Sequence, residues 1–148
     1  MRSILITFAL GATAFVAQPN GKGGDVDPCT FFSKAEIESA FGHPYGSPKR
    51  GSTFMGPTCM FYSQNTGTIS IRAGEKMTRA AFDEFRTALR ESAEPLAGIG
   101  ESAFLYAGAL YVLNNGRQLV ISVSGELTPR WRAALLTLGR LGAPRLRA

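Results

Sequence analysis

The chain of 148 residues contains two cysteines, Cys29 and Cys59, and a single histidine, His43. These side chains could bind a metal, form a cross-link or act as nucleophile and base. Zinc usually takes four ligands in close pairs, so this set predicts no metal site. An even number of cysteines in an exported chain favours a Cys29–Cys59 disulfide. Closing a loop of about 31 residues is worth roughly 3.6 kcal/mol in the chain-entropy account.

Catalysis by a Ser-His or Cys-His pair would have to use His43. The chain has no G-x-S-x-G motif, and His43-Pro44 follows directly after a predicted helix end. This context favours an exposed or capping histidine, with a small secreted hydrolase as the alternative. The stretch from Gly98 to Ala103 resembles a dinucleotide-binding pattern but precedes a strand instead of a helix. It is better explained as a turn, and no cofactor is expected.

A long Gly- and Pro-rich connection, residues 42–57, is the first candidate binding region. Loops of this length are uncommon and tend to be functional or disordered. Its aromatic, cationic and apolar side chains predict a binding loop, and the alternative is a mobile linker without function. The candidate residues are His43, Tyr45, Lys49, Arg50, Phe54 and Met55.

A second candidate is an anion-binding patch near the C-terminus. The formal net charge is +5, and five arginines without an acid lie between residues 130 and 147. The patch would comprise Arg130, Arg132 and Arg140. No nucleic-acid motif is present, so an anionic envelope polymer or lipid headgroup is the expected acidic partner. The alternative is a solvated basic face with no specific ligand.

The N-terminus predicts export. A basic start precedes an uncharged run of 13 residues, Ile4 to Val16, which is too short to span a membrane comfortably. We expect a signal peptide at 1–17, cleaved after Ala14 or Ala17, and a flexible leader at 18–27. The mature protein would be periplasmic or secreted, without a lipid anchor or a transmembrane segment.

The remaining chain predicts one α+β domain at 28–144 and a basic tail at 145–148. An apolar content of 45% with 18% charged residues excludes a disordered chain. Helices are expected after Ser33, after Thr78 and after Thr128, with Pro129 in the first position of the last helix. Strands are expected at 58–63, 68–73, 102–106, 109–114 and 117–124. The order α-β-β-α-β-β-β-α describes an antiparallel sheet of about five strands with three helices packed on it.

Three stretches resemble a family of small exported bacterial domains of unknown function. They are the start at Asp27-Pro28-Cys29 with its capped helix, the strand containing Cys59 and Tyr62, and the segment from Gly98 to Phe104. The resemblance covers about residues 27–141, and this chain lacks the lipid-anchor cysteine that many such proteins carry. It implies a disulfide and a binding or sensing role, and it supplies no catalytic residues.

Together these features predict an exported, non-catalytic binding or sensor-like domain with an unknown envelope or extracellular ligand. The first alternative is the hydrolase that uses His43. The second is a protein inhibitor or an envelope assembly accessory, which would need a sizeable exposed apolar patch.

Overall fold

The computed structural model of the protein describes residues 26–125 and 129–147. The predicted signal peptide, most of the leader and the predicted cap at Thr128 lie outside these ranges. Within them, no helix is both long enough and apolar enough to cross a membrane.

The described residues form one antiparallel sheet of seven strands with four α-helices, which confirms the α+β class. The strands are β1 (Lys49–Thr53), β2 (Gly56–Ser63), β3 (Gly67–Lys76), β4 (Glu94–Leu96), β5 (Ser102–Tyr106), β6 (Ala109–Asn114) and β7 (Arg117–Ser124). The helices are α1 (Pro28–Phe31), α2 (Lys34–Phe41), α3 (Arg79–Ala88) and α4 (Trp131–Gly142). Short 3₁₀ turns follow at Arg90–Ser92 and Ala143–Arg145.

Two meanders make up the sheet, in the strand order β1-β2-β3-β7-β6-β5-β4. Successive strands within each meander pair as neighbours. The pairing of β3 with β7 joins the meanders, and it brings together residues about fifty positions apart in the chain, such as Ile71 and Ile121. The β3–β7 ladder is therefore the strand pairing that joins the two meanders into one sheet.

The helices lie on both faces of the sheet. Alternating strand residues such as Phe61, Ile71 and Ile121 are fully buried in one cluster with residues of α1, α2 and α4. Phe104 points to the opposite face, where it packs with Phe82 of α3 in a second, smaller cluster. Since α3 packs on β5 and β6, none of the described helices covers most of this second face along β1, β2 and β3.

The prediction of five strands and three helices was wrong in its details. The second half of the predicted loop 42–57 is strand β1, whose side chains are mostly exposed and polar. β4 has only three residues and contains Pro95. Neither has the apolar alternation by which strands are recognised, because both lie at sheet edges, where pairing on one side is enough. Helix α1 is a single turn, too short for a periodic pattern.

Local end signals predicted the main helix boundaries well. Ser33 and Glu36 form a reciprocal capping box at α2, and Gly42 ends that helix with a positive φ of 76°. Thr78 caps α3 by accepting a hydrogen bond from the Ala81 N–H. The expectation for Pro129 was wrong, because α4 begins at Trp131 and its capping residue makes no side-chain hydrogen bond.

Both ends of the predicted domain need correction. Val26 of the predicted leader packs against the main core, and Asp27 caps α1. At the other end, the predicted basic tail contains Leu146, which is completely buried. The Asn115 side chain also donates to the Leu146 carbonyl at 2.8 Å. The two flanking arginines make this segment look like a basic tail in the sequence, and a single leucine gives no periodic sign that it is buried.

The predicted Cys29–Cys59 disulfide is formed, with the two Cα atoms 4.9 Å apart. It joins α1 to β2, and Cys59 is fully buried in the main core. In the part of the chain that the structure describes, no cysteine is free.

Removal of this bond should destabilise the domain strongly. We expect the variant C29S/C59S to lose about 2–5 kcal/mol of unfolding free energy, the usual cost for a small secreted domain. Urea denaturation of the oxidised protein and the variant measures this loss. Ser52→Ala, an exposed change on β1, is the control and should stay within about 0.5 kcal/mol. A variant as stable as the oxidised protein would contradict the structural role.

An ion pair fastens the end of the chain to α2. Arg145 Nη2 lies 2.5 Å from Glu36 Oε1, and Arg145 Nη1 donates to the Phe31 carbonyl at 2.7 Å. The hydrogen bond from Arg145 is the main reason that the pKa of Glu36 falls from 4.5 to about 2, and the backbone and hydroxyl of Ser33 lower it further.

This pair predicts an acid-sensitive contribution to stability. Because the folded pKa of Glu36 lies below its unfolded value, the contribution is complete above pH 4.5 and is lost as the pH falls towards 2. Glu36→Gln should cost about 1 kcal/mol at neutral pH, since both side chains are about one-third exposed. Urea denaturation at several pH values should show this cost shrinking on acidification. Glu84→Gln, on the exposed side of α3, should show no such trend.

Candidate functional site

The segment after α2 is held against the fold by Tyr45. Its ring is 5% exposed and lies edge-on to Phe41, with the centroids 5.9 Å apart. Burial raises the pKa of Tyr45, so its hydroxyl stays protonated near neutral pH. The Tyr45 N–H donates to Glu38 Oε1 and the Gly46 N–H donates to the Tyr62 carbonyl, each at 2.8 Å. These contacts hold residues 43–47 in one conformation.

His43 links this segment to the turn between β2 and β3. Its Nδ1 lies 3.1 Å from the Phe41 carbonyl, so Nδ1 carries the proton and donates it there. Nε2 lies 2.8 Å from the Tyr45 hydroxyl and 2.6 Å from Thr66 Oγ1, and in the neutral ring with its proton on Nδ1 it accepts from these hydroxyls. A histidine, a phenol and a threonine thus meet although His43 and Thr66 are 23 positions apart.

A pocket of about 670 Å³ lies between this segment and the β2–β3 turn. Of the lining residues that the structure describes, Lys49 alone has a permanent charge, and none of them has a carboxylate. The Lys49 ammonium lies 5.4 Å from the centre of the Tyr62 ring, which is 41% exposed. The lining residues are His43, Pro44, Tyr45, Gly46, Ser47, Lys49, Tyr62, Ser63, Gln64, Asn65 and Thr66.

The structure divides the six residues of the predicted binding loop. His43, Tyr45 and Lys49 line the pocket. Arg50 is the next residue in β1 and therefore points to the other face of the sheet. There its guanidinium pairs with Asp27, with Nη1 2.6 Å from Oδ1, and this hydrogen bond lowers the pKa of Asp27.

Phe54 and Met55 form the tip of the β1–β2 hairpin. Phe54 is 99% exposed and Met55 is 44% exposed. Beside the tip, a shallow groove of about 240 Å³ continues onto the uncovered sheet face, and Arg72 crosses it to donate to the Met55 carbonyl at 3.3 Å. An inhibitor or assembly accessory would use such apolar side chains, and that function stays a prediction.

Five of the eleven described lining residues, Tyr62 to Thr66, lie outside the predicted binding loop. The turn around residues 64–67 has the composition of an ordinary hairpin turn, and its amide and hydroxyl groups gave no sign of a site. Tyr62 lies on the face of β2 opposite Cys59 and Phe61, as side-chain alternation along a strand requires. An aromatic residue on the solvent side of a strand was the one available signal.

The predicted arginine patch is partly neutralised. Arg132 pairs with Glu94 of β4, and the side chain of Arg130 lies close to Gly42. Arg140 is exposed on α4. The structure therefore leaves fewer unpaired charges here than the sequence suggested, and anion binding by the patch stays a prediction.

The described residues contain no cluster of potential metal ligands. Within residues 26–125 and 129–147, no three or more His, Cys, Asp or Glu side chains are placed to hold a metal ion. The pocket beside His43 is thus the arrangement with the most varied chemistry among the described surfaces.

Comparison with known proteins gave no match to a family model, to a curated protein sequence or to a solved structure.

Proposed function

We propose that the protein is an exported binding domain that holds a polar ligand in the pocket between residues 43–49 and the β2–β3 turn. The observation that carries the proposal is that the pocket is already organised. Its first wall is held by Tyr45 and Glu38, and the His43–Thr66 contact joins the two walls. A site with a fixed shape loses little conformational entropy when it binds.

Its volume and lining also suit a ligand. A cavity of about 670 Å³ falls in the usual range for small-molecule sites. Apolar surface from Pro44 and Tyr62 lies beside hydroxyl and amide groups that can orient a polar molecule. Export is supported by the basic and apolar N-terminal sequence and by the disulfide, which persists in an oxidising compartment.

NMR titration with soluble carbohydrate and lipid extracts of the source cell envelope tests this function. We expect chemical-shift changes at residues 43–49 and 62–66. Gly46→Leu should abolish these changes by filling the pocket. The variant should still fold, because a Cβ on Gly46 would make only ordinary van der Waals contact with the Tyr62 carbonyl. Ser52→Leu adds the same side chain to an exposed position of β1 outside the pocket and should leave the shifts unchanged. Shifts confined to the hairpin tip, or no shifts, would overturn the proposal.

A second candidate function, hydrolysis of an ester, is favoured by one observation. Thr66 Oγ1, His43 Nε2 and the Phe41 carbonyl form a chain of hydrogen bonds like that of a nucleophile, a base and the group that orients the base. Thr66 Oγ1 would attack the acyl carbon while its proton passes to His43 Nε2. The alcohol would leave with that proton, and water would then release the acid from Thr66.

A fluorophosphonate reagent distinguishes this function from simple binding. If Thr66 is a nucleophile, the reagent should modify the wild-type protein at Thr66, and both Thr66→Ala and His43→Ala should block the modification. Intact-mass analysis measures it. Thr68→Ala, in β3, is the control and should react like wild type. An unmodified wild-type protein would show that the His43–Thr66 contact is structural only.

A further inference from the structure

We infer that the ligand of the pocket is an acidic saccharide, a sugar that carries a carboxylate or a phosphate. This inference rests on the proposed function and adds the chemical class of the ligand. It starts from the charge of the pocket: among the described lining residues, Lys49 alone carries a permanent charge and none has a carboxylate. Among the described residues, Lys49 has no carboxylate partner, and its ammonium contacts only the Tyr62 ring.

The carboxylate of Glu38, which contacts the Tyr45 backbone in the pocket wall, already has two hydrogen-bond partners. Glu38 Oε1 accepts from the Tyr45 N–H at 2.8 Å and from Lys34 Nζ at 2.6 Å, and the hydrogen bond from Lys34 lowers its pKa. Glu38 therefore stabilises the wall of the pocket and leaves the Lys49 charge uncompensated. A ligand anion would supply the missing partner at an exposed ammonium, which binds carboxylate or phosphate as a point charge.

Three arginines, unlike Lys49, have a carboxylate partner in the fold. Arg50, Arg132 and Arg145 each pair with a carboxylate, and the partners come from distant parts of the chain. These pairs serve the fold. Lys49 combines an open charge with a concave surface that is lined by hydroxyl, amide and aromatic groups.

The neutral part of the lining indicates what carries the anion. Ser47, Ser63 and Thr66 offer hydroxyls, while Gln64 and Asn65 offer amides that both donate and accept. A molecule rich in hydroxyls matches such groups, whereas a purely apolar acid would leave them unpaired at a cost. The exposed Tyr62 ring and Pro44 provide apolar surface for the C–H face of a sugar ring.

Isothermal titration with tetragalacturonate, mannose 6-phosphate and neutral maltotetraose tests the inference. We expect at least one acidic sugar to bind at least tenfold more tightly than maltotetraose, with affinity that falls as salt is added. Inorganic phosphate alone should bind at least tenfold more weakly than that sugar. Lys49→Gln should reduce the affinity about tenfold or more, and Lys49→Arg should retain most of it.

Lys76→Gln is the matched control. It removes the same charge from an exposed lysine at the far end of β3 and should bind like wild type. An equal loss in both glutamine variants would show a general effect of net charge and would overturn the inference. The inference would also be overturned if maltotetraose or inorganic phosphate bound as tightly as the acidic sugars.

The two proposals fail in different ways. If neither acidic sugar binds but an envelope extract still shifts the resonances of residues 43–49 and 62–66, the ligand class is wrong and the binding function stands. If no extract shifts those resonances, the binding function is wrong as well.

Discussion

The pairing of β3 with β7 is the constraint on which the remaining structure depends. It joins a meander that contributes to the pocket to a meander that supplies most of the buried apolar strand residues, and no other strand pair connects the two within the described sheet. Ile71 and Ile121 lie opposite each other and are fully buried. A bulge near Gly74 interrupts the ladder, and there the buried Arg117 side chain donates to the Gly74 carbonyl at 2.7 Å. The irregular backbone is thus kept hydrogen-bonded.

The joined sheet has two unequal faces, and this inequality places the site. One face is buried beneath α1, α2 and α4, while α3 covers only part of the other. Lys49 pairs with Met60, and residues directly opposite in a ladder share a face. Lys49 and Tyr62 therefore stand on the uncovered face, where polar and charged groups stay accessible. The pocket forms where this face meets the segment that leaves α2.

Helix α2 connects the stability of the fold to the shape of the pocket. The capping box holds its first turn, and Arg145 binds the same Glu36 that completes the cap. At its other end, Gly42 turns the chain so that His43 reaches the Phe41 carbonyl. Glu38, on the same helix, fixes the Tyr45 backbone. The positions of the pocket groups therefore depend on contacts made far from the pocket itself.

Features that depend on a few neighbouring residues could be predicted from the sequence. The helix caps at Ser33 and Thr78 and the single possible disulfide could be predicted, because each rests on local geometry or on simple counting. The α+β class followed from their order. Three of the six predicted loop residues do line the pocket.

The other features depend on contacts between distant parts of the chain. Edge strands β1 and β4 are polar or very short, so pairing with a neighbour defines them and no periodic pattern reveals them. The side of the sheet on which each helix packs also depends on contacts along the whole chain. The meeting of His43 with Thr66 arises from strand register and from loop closure. Such long-range pairings carry no local signal, because their energy is gained only when the whole sheet assembles.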